Sequence, residues 1–279
     1  MTEEGRFEFG ENWRNFIDSL NDERIITAER SLKDRLHIKD LNGKRFLDVG
    51  SGSGLFSLAA RRLGATVHSF DYDSDSVKCT AELRRRYFPD DPLWKVEQGS
   101  ILDPEYLKTL GSFDIVYSWG VLHHTGAMWS AFENIIPLVG KPGLLFIAIY
   151  NDQGLQSLLW RAIKRGYTLL PRFLRTAYVL PFAPLLWGPR AVKDLFDRRP
   201  FHSLRYYQSR RGMSAWHDLV DWVGGYPFEV ATPRGLFDFF HSRGFELLEI
   251  VTVGGRLGCN ELVFRRSTAH DSGTAQATS

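Results

Sequence analysis

Phe46-Leu47-Asp48-Val49-Gly50-Ser51-Gly52-Ser53-Gly54 reads as a short apolar strand running straight into three alternating glycines, and Leu55 to Leu63 behind them has the spacing of a helix with a small, apolar inner face. The next apolar run, Ala65 to Phe70, ends on Asp71. Glycines let a backbone turn tightly and come close to a ligand, and a carboxylate at the tip of the second strand can accept two hydrogen bonds from ribose hydroxyls. The ordered set of strand, loop, helix, strand and acid points to nucleoside binding. A dinucleotide fingerprint, G-x-G-x-x-G, would need its third glycine at position 55, where the chain has Leu55; here the third glycine is Gly54. That spacing argues against a hydride-transferring oxidoreductase, which stays open as a reading of another class beside a non-catalytic binding protein.

The regular order extends in both directions. Arg45 to Gly50, Ala65 to Asp71, Leu93 to Gln98, Phe113 to Trp119 and Gly143 to Tyr150 read as five strands, with helices predicted over Ser74 to Tyr87 and Met128 to Leu138. Strands alternating with helices specify an α/β fold with a parallel sheet. After Tyr150 the pattern breaks into helical stretches rich in Leu, Trp and Arg. It resumes at Thr232-Pro233, a cap followed by proline at the first helical position, and runs to Gly244. Phe245 to Val253 and Asn260 to Arg266 complete seven strands. At the front, Trp13, Phe16, Ile17 and Leu20 recur at helical spacing. The reading therefore divides the chain into a helical lid over 1–41, a nucleoside-binding core over 42–150, a helical cap inserted over 151–230, the rest of the core over 231–266, and a disordered tail over 267–279.

At this point the sequence resembles the class I S-adenosylmethionine-dependent methyltransferases, in particular the small-molecule group that includes quinone and sugar O-methyltransferases. The resemblance covers about Lys44 to Tyr150 and Thr232 to Arg266. It rests on LDVGSGSG, FDYD, QGSILD, FDIVYSWGVLHHT and GLLFIAIY in that order. It implies a Rossmann-like seven-stranded sheet with helices on both faces and a helical insertion after strand 5, and S-adenosyl-L-methionine as cofactor. By the same resemblance Asp48, Gly50, Ser51, Gly52 and Gly54 would face the methionine part. Asp71 would bind the ribose, Tyr72 would lie along the adenine, Ser100 and Ile101 would contact it, and Ser118 and Trp119 would floor the pocket. Ser100 stands where the family commonly has an acid.

Methyl transfer is an in-line displacement, so holding the reactants in line is the main task. A hydroxyl or ammonium acceptor also needs a base. His123 and His124 follow the fourth strand at the carboxyl edge of the sheet, where open α/β folds bind ligands; of two adjacent histidines, one is expected in the site and the other as a structural hydrogen-bonder. Asp152, after the fifth strand, either orients a histidine or shapes the turn Tyr-Asn-Asp-Gln-Gly. His217 and Asp221, one turn apart on a helix capped by Ser214, with Asp218 and Trp222 on the neighbouring face, form a further base candidate or a surface ion pair with packing tryptophans. No metal site is expected, since none of these residues has close metal-ligand spacing.

The 279-residue chain has 35 Lys+Arg and 33 Asp+Glu, a net of +2, and 43% hydrophobic residues, which excludes disorder for most of it. The balance hides a segregation. Residues 151–212 hold 12 Lys/Arg and three Asp/Glu, so this segment carries 12 − 3 = +9 and the remainder 2 − 9 = −7. Between Asp152 and Asp194 there is no acid, while Trp160, Arg161, Lys164, Arg165, Arg172, Phe173 and Arg175 interleave basic and aromatic groups. The segment reads as a lid over a small-molecule acceptor, then as a peripheral contact of 155–190 with an anionic membrane giving access to a lipid-linked substrate. An RNA partner comes last. Arg205, Tyr206, Tyr207, Arg210 and Arg211 are further polar groups that can face substrate. Two distant cysteines, Cys79 and Cys259, and the lack of a signal-peptide pattern fit a reducing cytoplasm. Oxygen is favoured over nitrogen as acceptor atom.

Overall fold

A computed structural model describes residues 20–197 and 215–267. Seven strands form one sheet in the order β3-β2-β1-β4-β5-β7-β6. They are β1 (Arg45–Val49), β2 (Thr66–Asp71), β3 (Trp94–Gln98), β4 (Phe113–Trp119), β5 (Val139–Tyr150), β6 (Phe245–Val251) and β7 (Cys259–Arg266). The first five are parallel, and β7 inserts antiparallel between β5 and β6. This is the Rossmann-like sheet of the class I methyltransferase fold that the resemblance implies. The strand order reverses between β1 and β4, so their carboxyl ends open a crevice where such sheets bind ligands.

Two cores cover the faces. On one, α1 (Asp22–Leu36), α2 (Leu55–Arg62) and α3 (Ser74–Tyr87) bury Ile25, Leu32, Leu58 and Leu83 against Phe46, Val67 and Tyr117. On the other, α4 (Pro104–Lys108), α5 (Met128–Ile135) and α10 (Pro233–His241) bury Leu107, Phe132 and Phe240 against Leu47, Val116 and Ile147. Thr232 caps α10 as expected, accepting the Gly235 N–H at 3.0 Å. Within the predicted lid, α1 packs on α2 and is tied to the far side of the sheet by Arg35, which pairs with Glu249 at 2.6 Å and Glu261 at 3.1 Å. Trp13, Phe16 and Ile17 lie outside the described residues.

Some boundaries differ from the sequence reading. The helix expected over Met128 to Leu138 stops at Ile135 and tightens into a 3-10 turn over Ile136–Leu138, because Pro137 has no N–H for a longer helix. α4 escaped prediction because five residues show no helical period, although Asp103 caps it ahead of Pro104. β6 ends two residues early, at Val251. The insertion forms α6 (Leu155–Leu169), α7 (Arg172–Val179), α8 (Ala183–Phe196) and α9 (Ala215–Gly224), with a small core of its own around Tyr167, Val179, Leu219 and Val223.

Candidate active site

The loop after β1 is held from behind. Gly50 and Ser51 donate their N–H groups to the Phe70 carbonyl at 2.9 and 3.1 Å, which bonds the loop to β2. Gly50, Gly52 and Gly54 all have positive φ, at 78, 53 and 80°. A Cβ at Gly50 would stand 2.5 Å from Cγ2 of Val121, in the turn after β4. The chain therefore turns here in a way that glycine alone adopts without strain. Thr80 on α3 holds the far side, bonding the Ser51 hydroxyl at 2.9 Å and donating to the Gly52 carbonyl at 3.3 Å. Sequence reasoning missed Thr80 because the contact joins separate elements.

Asp71 sits behind the loop. Its two carboxylate oxygens accept the Gly52 N–H and the Asp73 N–H, each at 2.9 Å. Each oxygen keeps a second lone pair, so the carboxylate can still accept from a ribose diol. Asp48 lies deeper in a relay that reads in one direction. The Trp94 indole N–H can only donate, and it donates to Ser69 Oγ at 2.9 Å; Ser69 bonds Ser57 at 2.7 Å, and Ser57 donates to Asp48 at 2.5 Å. Ser57, Ser69 and Trp94 carry no local motif, so the sequence did not reveal this support.

Burial pushes the Asp48 carboxyl up to about 7 against the Ser57 hydrogen bond, with the neighbouring Asp71 adding to the rise, and burial lifts Asp71 to about 6. Both folded values exceed the ordinary 3.8. The stability these groups contribute is thus full below 3.8 and is lost as pH rises through about 6 and 7. A cation bound beside them reverses the balance by favouring their ionised forms. The thermal midpoint of the free protein is expected to fall between about pH 4 and 7, while its increase on adding S-adenosylhomocysteine, whose ammonium is cationic, grows over the same range. Thermal shift measured across pH checks this, and Asp48→Asn should flatten the upper part of both curves.

Of the other expected cofactor contacts, Tyr72 is 45% exposed beside Asp71. Ser100 is half-buried, its hydroxyl accepting the Leu102 N–H at 3.1 Å, and Ile101 is buried in the core next to it. Ser118 is wholly buried and donates to the Val49 carbonyl at 3.0 Å, tying β4 to the end of β1. Trp119, 46% exposed, reaches across β5 to Glu261 at 3.1 Å.

The two histidines occupy a 3-10 turn, Leu122–His124, that begins beside Val121 against the glycine loop. Their tautomers differ. His123 is fully buried, and its Nδ1 accepts the Tyr150 N–H at 3.3 Å, so the one proton of the neutral ring is on Nε2. Burial, then the neighbouring His124 and Lys164, hold this ring well below the usual histidine range, which keeps it neutral. His124 Nδ1 lies 2.7 Å from the Pro227 carbonyl, which can only accept; Nδ1 carries the proton and the lone pair is on Nε2. Asp152 is exposed and accepts the Gly154 N–H at 2.8 Å, the turn that starts α6. α9 forms as expected, but the side chains of His217 and Asp218, and all of Ser214, Arg205, Tyr206, Tyr207, Arg210 and Arg211, lie outside the described residues.

A profile of a methyltransferase-domain family matches residues 22–250. The chain belongs to the class I S-adenosylmethionine-dependent methyltransferases. It is 32% identical over 111 residues to a ribosomal protein L11 methyltransferase of Helicobacter hepaticus, covering 36% of this chain and 34% of that one. It is 27% identical over 140 residues to a ubiquinone biosynthesis O-methyltransferase of Pelagibacter ubique, covering 50% of this chain and 55% of the relative. The chain thus spans between a third and just over half the length of these relatives. Among solved structures, magnesium protoporphyrin IX methyltransferase from Synechocystis, with bound S-adenosylhomocysteine, shares the fold at TM-score 0.54 and 13% identity, covering 92% of this chain and 94% of that one. The cofactor of this methyltransferase is S-adenosylmethionine, and its loop fits one. The tight positive-φ glycine turn after β1 and the Asp71 carboxylate behind it, which keeps lone pairs for a ribose diol, are the features a nucleoside of this kind needs.

Proposed function

We propose that this methyltransferase moves a methyl group from S-adenosylmethionine to an oxygen of a small-molecule acceptor, with His124 as general base. The observation that carries this reading is the His124 tautomer: an imidazole anchored through Nδ1 to a backbone carbonyl, with its lone pair on Nε2, one turn from the glycine loop. S-adenosylmethionine supplies an electrophilic methyl carbon on a sulfonium when bound. The chain's own residues do the rest. Asp71 and the glycine loop fix the nucleoside, and the Val121 to His124 turn sets the acceptor side of the crevice. As the acceptor oxygen gains the methyl carbon, the carbon–sulfur pair leaves with sulfur and the hydroxyl proton passes to His124 Nε2. The O-methyltransferase relative supports oxygen as the acceptor atom. Incubation with methyl-¹³C cofactor and a small-molecule extract, read by NMR, should give an O-methyl signal; label found only on nitrogen, or only in the protein or RNA fraction, overturns the reading.

The cap favours a second proposal, about where the acceptor is met. α6 turns Leu155 (84% exposed), Leu158 and Leu159 outward, and Phe173 on α7 is 81% exposed, in the stretch that has no acid between Asp152 and Asp194. Apolar side chains set among arginines suit an anionic lipid surface, with rings in the interface and guanidinium groups at head groups. Among the described residues no helix is long and apolar enough to cross a membrane. Co-sedimentation with phosphatidylserine-containing vesicles, absent with phosphatidylcholine alone and lost at high salt, is the expected outcome. Phe173→Glu should weaken it about tenfold or more. Equal partition to both vesicle types would count against it.

A further inference from the structure

α6 carries its amphipathicity in an unusual order. Its leucines face out, and the stripe that it buries is Ser157, Trp160, Lys164 and Tyr167. Lys164 is wholly buried, donates to the Trp222 carbonyl, and lies 5.0 Å from the centres of both the Trp222 and Phe228 rings. Those rings continue a wall: Trp160 is 5.6 Å from Trp222, and Tyr150 is 5.8 Å from Trp222 and 5.3 Å from Phe228. His123 closes it, its ring centre 4.0 Å from that of Tyr150.

The polar atoms in this cluster are one-sided. His123 Nε2 and Trp222 Nε1 are buried with no hydrogen-bond partner among the described residues, and both are N–H donors. The ammonium has three hydrogens, of which the Trp222 carbonyl takes one. Burying an ammonium is costly, whereas a methionine would fill the same space without that cost. A cluster of buried donors around a cation is complementary to an acceptor of negative charge, and rings on several sides are complementary to a flat molecule. Burial brings the Lys164 ammonium down from its usual 10.5 to about 7, and Asp221 on α9 opposes that shift by favouring the charged form. The cluster also adjoins the chemistry, because His123 directly precedes His124 in the turn that begins on the glycine loop.

We propose that the acceptor carries an anionic oxygen, carboxylate or phenolate, on a flat ring system, and that Lys164 receives it together with the Nε2–H of His123 and the Nε1–H of Trp222. This rests on the methyl-transfer reading and names its substrate class. Calorimetry on the full chain saturated with S-adenosylhomocysteine, with two pairs of probes, tests it: benzoate against benzamide for the carboxylate, and 4-nitrophenolate against 4-nitroanisole for the phenolate. In at least one pair the anion should bind about tenfold or more tighter than its neutral partner. Lys164→Met should abolish that preference and leave S-adenosylhomocysteine affinity unchanged. Trp222→Phe, which keeps a ring and removes one donor, should weaken the anion several-fold. Absence of any anion preference in either pair, or a preference that survives Lys164→Met, overturns the proposal. These titrations read binding rather than transfer, so their failure leaves the O-methylation reading standing, and an N-methyl product leaves the anion site standing.

Discussion

Replacing His124 by alanine is expected to lower kcat by about 10²-fold or more while the affinity for S-adenosylhomocysteine stays the same, since a positioned base contributes to the transition state. Asparagine separates this from a structural role. Its amide can still donate to the Pro227 carbonyl that anchors His124 Nδ1, but it has no basic nitrogen. A purely structural histidine would be rescued by His124→Asn; a base would not. The same variants should flatten the acid limb of the kcat profile, where protonation of the base switches the wild-type enzyme off. His123→Asn is expected to behave differently, because the buried ring accepts from the Tyr150 N–H and its remaining nitrogen carries a hydrogen. There the loss should fall on stability and acceptor affinity.

The second large effect belongs to Gly50. In Gly50→Ala the new methyl would lie 2.5 Å from Val121 Cγ2, at a backbone φ of 78°. The left-handed conformation costs about 1–2 kcal/mol for an L-residue, and forcing a methyl into a packed contact about 1–3 kcal/mol more. Valine is stiff at χ1, so the side chain cannot turn aside and the backbone of loop or turn has to move. Because Val121 begins the turn that holds the histidines, the displacement should reach both the proposed cofactor seat and His124. Thermal stability should fall and S-adenosylhomocysteine binding should weaken about 10²-fold or more. Gly50→Ala with Val121→Ala should regain the part due to overlap and keep the part due to φ, a coupling that a double-mutant cycle measures. Unchanged binding in the single variant contradicts the role proposed for the Gly50 turn.

The contrast between the glycine loop and Lys164 marks what was legible in the sequence. Seven strands, their α/β order and the loop with Asp71 are local features, written in contiguous residues whose period or spacing is the signal. The paired histidines were legible as a loop at the sheet edge, but not their opposite tautomers, which depend on Tyr150 and Pro227 brought in from elsewhere. Lys164 was read among the arginines of a basic surface. The signal for its burial was present, as it falls four residues after Trp160 and three before Tyr167 on one helical stripe, yet leucines at Leu155, Leu158 and Leu159 gave the opposite face the stronger apolar pattern. Only packing against Trp222 and Phe228 decides which face is inside. Likewise Thr80, Ser57, Ser69 and Trp94 support the cofactor loop through contacts between elements, for which a single sequence offers no period or motif.

In the proposed function the glycine loop and Asp71 are the seat of S-adenosylmethionine. Calorimetric titration of the full chain with S-adenosylhomocysteine and with NAD, in wild type and Asp71→Ala, addresses this directly. It should show one-site binding of S-adenosylhomocysteine, weakened about 10²-fold or more in the variant by loss of two hydrogen bonds to a carboxylate, and no binding of NAD. Binding of NAD at that site, or S-adenosylhomocysteine bound as tightly by Asp71→Ala as by wild type, would contradict it.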